Sequence, residues 1–143
     1  MINKTKVRVY IAGGWFDLLQ MRAVQDIESV LTLSGGDFFS PRKMNLGTDG
    51  CDWDAIYKAN IAEINKCDVV IASTEGKDMG TLFECGVAAT LNKKIVYYAP
   101  SLEGGRFNLM LARSASSVCT SMSELVDIVN AGYPTREYKG GIE

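Results

Sequence analysis

Val69 to Ala89, VVIASTEGKDMGTLFECGVAA, decides the fold. It begins as the short apolar run Val69 to Ala72 and breaks into a polar turn from Thr74 to Gly80. It then becomes helical, with Phe83, Val87, Ala88 and Leu91 as its apolar members. An apolar run, a glycine-containing turn and a helix read as strand, loop and helix of a parallel α/β unit. Ligands of such sheets sit outside the carboxyl ends of the strands, which is where Asp78 and Glu84 fall. Glu84 shares its helical stripe with Thr81, Ala88 and Leu91, so a carboxylate stands among small and apolar side chains. Two structural readings compete with a chemical one. Thr81-Leu-Phe-Glu84 fits a capping box, and Asp78 suits the positive end of a helix.

Outward from this unit the same alternation repeats. Lys6 to Ala12 is a first strand, followed by Gly13, Gly14, Trp15, Phe16 and Asp17. Leu18 to Leu33 is an amphipathic helix, ended by Gly35 and Gly36. Asp37 to Ser40 is a second strand stopped by Pro41. Arg42 to Asp52 is a polar loop, the expected mobile segment and a possible cover for a site. Trp53 to Lys66 is a second helix with Tyr57, Asn60, Ile61 and Ile64 on one face. Asp68 to Ser73 is the third strand and Lys94 to Ala99 the fourth. Ser101 to Phe107 is a loop, Asn108 to Arg113 a short helix, and Ser116 to Cys119 a fifth strand. Ser121 opens a last helix through Val129, with Ser121-Met-Ser-Glu124 as a capping box. A polar tail runs from Tyr133 to Glu143.

Strands alternating with helices predict a parallel sheet covered on both faces. Right-handed crossovers give a flavodoxin-like, doubly wound, five-stranded order 2-1-3-4-5 in one domain spanning residues 1–143. The switch point falls between the first and third strands. Gly13 to Asp17 is thereby brought beside Asp78 to Glu84. Trp15 and Phe16 either pack under the helix that follows or form a stacking surface for a flat ligand such as a nucleobase. The loop is neither G-x-G-x-x-G nor a P-loop. Asn60 is either a locally bonded amide or a ligand contact.

Composition narrows the chemistry. The net charge of −2 over 143 residues gives no general attraction to nucleic acid or anionic membrane. No apolar run spans a bilayer, and the N-terminus does not read as a signal peptide, so a cytoplasmic protein is expected. The four cysteines, Cys51, Cys67, Cys85 and Cys119, form no C-x-x-C pair. Cys67 and Cys85 read as buried small hydrophobes. The chain has no histidine, which removes Ser-His-Asp and Cys-His catalysis and His-ligated metals. Carboxylates are then the leading acid–base groups, and paired carboxylates are the usual tools of glycosyl chemistry.

These residues resemble the nucleoside 2-deoxyribosyltransferase family over most of the chain. The family's first strand and loop look like Tyr10-Ile-Ala-Gly-Gly-Trp-Phe16 with Gln20 beyond. Its D-x-G-x-x-x-E motif is similar to Asp78-Met-Gly80-Thr-Leu-Phe-Glu84, and its N-L-M triplet to Asn108-Leu109-Met110. The resemblance implies transfer of a 2-deoxyribosyl group between nucleobases through a covalent Glu84 ester, with Asp78 handling the proton or hydrogen bond at the leaving base. It implies that Tyr10, Gly13, Trp15, Phe16, Gln20, Asn60 and Gly80 shape the base and sugar pocket. It also implies a homo-oligomer, a dimer or a trimer of dimers, in which Asn108 crosses into a neighbouring site and Met110 helps line it. Its partners would be 2-deoxynucleosides and free nucleobases, with no nucleic acid polymer, no membrane, no metal and no cofactor. Family members often carry Asp where Asn60 aligns; an amide can hydrogen-bond but supplies no charge. Two other readings stay open: an N-glycosidase that passes the sugar to water, and a non-catalytic nucleotide-binding module. Lys77 is read either as a solvated turn lysine or as an anion partner.

Overall fold

Alternation along the strands divides the interior in two. On the sheet's first face Val9, Ile11, Val69, Ile71, Val96 and Tyr98 pack with Val24, Ile27, Leu31, Leu125 and Ile128. On the opposite face Tyr10, Ala12, Val70, Ala72, Ile95 and Tyr97 pack with Ile64, Cys85, Ala88 and Phe107. A strand buried on both faces has no polar side to show, which is why these segments read as continuous apolar runs.

The computed structural model describes residues 6–44, 52–102 and 104–143. Its strands are β1 (Arg8–Ala12), β2 (Asp37–Phe39), β3 (Val69–Ser73), β4 (Lys94–Tyr98), β5 (Arg106–Phe107), β6 (Ser117–Cys119) and β7 (Gly141–Ile142). Its helices are α1 (Leu18–Leu33), α2 (Pro41–Met44), α3 (Trp53–Lys66), α4 (Met79–Thr90), α5 (Leu109–Ser114) and α6 (Met122–Asn130). The main sheet is parallel, in the order β2-β1-β3-β4-β6. This is the expected flavodoxin-like order. The fifth strand of that sheet is β6, because the two-residue β5 lies outside it and pairs in parallel with β7.

Several expectations are corrected. The segment after Pro41 begins as a helical turn, with proline at the first helical position, where its missing N–H costs nothing. The rest of the expected mobile loop, like Cys51, lies outside the described residues. Helix α4 starts at Met79 and its N-cap is Asp78, so Thr81 does not open a capping box. Its buried stripe is Thr81, Cys85 and Ala88, while Phe83 is 53% exposed and turns toward Tyr57, ring centroids 6.2 Å apart. At α6 the Ser121 hydroxyl accepts from Glu124 N, but Glu124 reaches back to Thr120 N rather than to the cap. The polar tail folds back as β7. Cys67, Cys85 and Cys119 are free and buried. Among the described residues no helix is long and apolar enough to cross a membrane.

Candidate active site

The register of the sheet sets the first contact. Tyr10 pairs with Val70, and both point to the face covered by α3 and α4. Tyr10 is fully buried, and its hydroxyl donates to Glu84 Oε2 on α4. Glu84 lies in the second turn of α4, too deep to serve the helix start. Its pKa is pushed up to about 7: burial raises it most, the Tyr10 hydrogen bond pulls it part of the way back, and the Asp78 charge adds a smaller rise. Burial, then the Glu84 charge, holds the Tyr10 phenol well above its ordinary range, so it remains a donor.

Asp78 is fixed by the helix it caps. Thr81 donates its backbone N–H (2.9 Å) and its hydroxyl (2.8 Å) to Asp78 Oδ2. A cap of this kind contributes about 1 kcal/mol. Both bonds fall on one oxygen, which leaves Oδ1 without either of them. The turn that delivers Asp78 is tight. Gly76 and Lys77 both have positive φ, 71° and 50°, and a lysine in that region is a strained placement of the kind that clusters at functional sites.

The β1–α1 loop closes over this edge because it lacks side chains where it passes. A Cβ on Gly13 would sit 2.6 Å from Val24 Cγ2, and one on Gly14 would sit 3.1 Å from both Asp78 Cγ and Gln20 Cδ. Gln20 is buried and ties two loops together. Its Oε1 accepts from Phe16 N at 2.9 Å, and its Nε2 donates to Glu75 O at 3.4 Å. Trp15 and Phe16 stack on each other, centroids 5.5 Å apart, with Phe16 75% exposed and Trp15 half-buried. Phe16 therefore does not pack beneath α1.

On the other side of Asp78 lies a cavity of about 710 Å³. Its walls include Asp78, Thr81 and Leu82 from the α4 start and Phe107, Asn108 and Met110 from the α5 start. Asn108 caps α5, its Oδ1 accepting from Met110 N and Leu111 N. Glu84 does not line this cavity, because its carboxylate is directed to Tyr10 on the β1 side of α4. Lys77 and Arg106 reach the cavity wall, but so do Glu75, Asp78 and Glu143, three acidic groups against two basic ones.

The expected residues thus fall into three sets. Tyr10 and Glu84 touch. Gly14, Gln20, Asp78 and Gly80 crowd together, a Cβ on Gly80 meeting Asp78 Oδ2 at 3.3 Å, while Gly13 abuts Val24 and Ser73. Asn108 and Met110 stand across the cavity from Asp78. Asn60 is half-buried on α3, and among the described residues no hydrogen bond joins it to either carboxylate. Sequence reasoning missed Thr81 as the holder of Asp78, although an Asp three residues before a Thr at a helix start is a capping signal. It also missed Glu75, a glutamate only 8% exposed inside a polar turn, for which no periodicity gives warning.

Fold and edge define a doubly wound, flavodoxin-like α/β protein with carboxylates at its β1/β3 switch point. The chain belongs to the nucleoside 2-deoxyribosyltransferase family, whose model matches residues 9–111. That span holds every residue from Tyr10 to Met110 that carries the sequence resemblance. Among solved structures the chain is similar to a 2-deoxyribosyltransferase of Bacillus psychrosaccharolyticus, at 24% identity and a TM-score of 0.80, covering 92% of this chain and 98% of that one. A 2-deoxyribosyltransferase of Leishmania mexicana is 22% identical with a TM-score of 0.64, covering 88% and 99%. A CMP N-glycosidase of Clostridium botulinum is 18% identical with a TM-score of 0.60, covering 87% and 98%. At these identities the likeness is one of fold. No curated protein matches the chain.

Proposed function

We propose that the protein moves a 2-deoxyribosyl group between nucleobases by double displacement. The observation that carries this reading is the Tyr10–Glu84 pair. It presents a carboxylate, held by one donor and largely withdrawn from water, at the edge where α/β folds bind ligands. A 2-deoxy sugar lacks the electron-withdrawing 2-hydroxyl, so positive charge forms readily at its anomeric carbon. Glu84 attacks that carbon as the bond to the base breaks, forming a glycosyl ester. The leaving base takes its bonding electrons, and Asp78 supplies the proton or hydrogen bond it needs. A second base then attacks the anomeric carbon of the ester, its proton passes to Asp78, and the carbon–oxygen bond breaks to regenerate the Glu84 carboxylate. Two inversions give retention.

The remaining expected residues fit supporting roles in this reading. The exposed Phe16 and its stacked neighbour Trp15 offer a flat surface for a base. Asn60 would meet the substrate with an amide in place of a charge. Large apolar side chains are exposed on α3, α4 and α5, among them Trp53 at 72%, Met79 at 85% and Met110 at 74%. Exposed apolar side chains of this size are consistent with a homo-oligomer in which Asn108 and Met110 enter a neighbour's site. The whole chain acts as one domain, cytoplasmic and without metal or cofactor in this scheme.

The test is incubation with deoxyinosine and each free base in turn, followed by chromatography. New deoxynucleosides of the added base are expected. Release of deoxyribose alone would move the assignment to an N-glycosidase, and no reaction with any deoxynucleoside would move it to a binding module.

A further inference from the structure

We propose that Glu75 is a positioning residue for Asp78, locking together the three loops that build the site; the proposal rests on the transferase reading above. Glu75 follows the carboxyl end of β3 and is 8% exposed. Its Oε1 accepts from Ser101 N at 3.1 Å, which ties the β3–α4 turn to the segment leading toward Asn108. Its carbonyl accepts from Gln20 Nε2, and Gln20 in turn accepts from Phe16 N, which ties the same turn to the loop carrying Trp15 and Phe16. Its own N–H donates to Ser73 Oγ at 3.2 Å.

Only Gly76 and Lys77 separate Glu75 from Asp78, and both hold positive φ. A chain in that conformation has little slack, so a shift of Glu75 is carried directly to Asp78. A Cβ at Gly76 would collide with the Gln20 side chain, so the turn is also clamped from the β1–α1 side. The side-chain partner of Glu75 is a neutral backbone N–H. The tie to Ser101 therefore requires an acceptor oxygen at the right reach rather than a negative charge. Among the described residues the only sealed side-chain polar atom without a partner is Ser117 Oγ. Glu75 is also among the residues that line the cavity beside Asp78.

The experiment compares Glu75→Gln with Glu75→Asp in steady-state base exchange. The glutamine keeps an acceptor at full length, and its kcat is expected to stay within about twofold of the parent. The aspartate keeps the charge but is one methylene short of Ser101 N. Its kcat is expected to fall about tenfold to a hundredfold, the scale of an ångström-sized misplacement, with KM changed less. On an Asp78→Asn background Glu75→Asp should cost nothing more, since it acts through Asp78. Thermal midpoints accompany each variant. Should the aspartate fail to fold, Glu75→Met fills the same volume without an acceptor and takes its place. Parent-like kcat in a folded Glu75→Asp, equal losses in Gln and Asp, or losses that multiply with Asp78→Asn would each overturn the proposal. Failure of the transferase reading shows separately, as absence of base exchange in the unaltered protein.

Discussion

Tyr10 and Glu84 meet across the interface between β1 and α4, the buried phenol donating to the carboxylate. The parallel pairing of β1 with β3 creates the meeting, by turning Tyr10 to the face that α4 covers. The bond opposes the effect of burial, because it stabilises the charged form of Glu84 while burial favours the neutral one.

Removing the phenol hydroxyl should therefore move the acid limb of the pH–rate profile. On the proposed double displacement Glu84 must be ionised to attack, so the parent protein should lose kcat/KM as pH falls through about 7. Tyr10→Phe deletes the one contribution that lowers the Glu84 pKa, and the limb should shift to higher pH. Activity should be depressed most near pH 6.5 and recover largely by pH 9. A profile unchanged in position would detach Tyr10 from Glu84 ionisation.

The same pKa has a stability consequence of definite sign. The folded value, about 7, lies above the ordinary 4.5, so folding favours the neutral acid. Its contribution is fully present below about 4.5 and is lost as pH rises through 7. Glu84→Gln, always neutral, should match the parent near pH 4 and exceed it by roughly 1–3 kcal/mol near pH 8. Denaturant melts at the two pH values measure the difference. Equal stability at both would mean that Glu84 is not desolvated in the folded protein.

Assembly is tested by mixing. Glu84→Ala and Asn108→Ala chains, each inactive alone, should regain part of the activity after subunit exchange if Asn108 serves a neighbouring site. No recovery in demonstrably mixed oligomers would assign each chain its own complete site.

The charge lining the cavity beside Asp78 carries a prediction for the proposed substrate. Lys77 lines it, yet Glu75, Asp78 and Glu143 outnumber Lys77 and Arg106 there. Free deoxyinosine should therefore be a better donor than its 5-monophosphate, and adenine should divert the sugar from water. Faster cleavage of the monophosphate, undiverted by adenine, would make Lys77 the first phosphate ligand to mutate.

The order of the sheet was legible because β1, β3 and β4 are buried on both faces and appear as unbroken apolar runs. The pairing of β5 with β7 was not, since two residues per strand leave no period and the partners lie far apart in sequence. Helix α2 carried a signal in Pro41, which fits a first helical position as well as a strand end. Phe83 misled by its hydrophobicity: it is an apolar residue on the exposed side of α4, facing Tyr57 rather than the sheet. Asp78 and Glu84 stood out as candidates from their spacing. The partners that hold them depend on tertiary contacts: Tyr10 on strand register, Glu75 on a backbone N–H 26 residues away.

The central claim is covalent capture by Glu84, and the most direct measurement is mass spectrometry of the protein after reaction with a 2-fluoro-2-deoxy nucleoside, which slows release of the sugar. The account predicts one added fluorodeoxyribosyl mass on the peptide containing Glu84, and none in Glu84→Ala, which should fold but retain almost no turnover. Labelling of another residue, or substantial base exchange by Glu84→Ala, would contradict it.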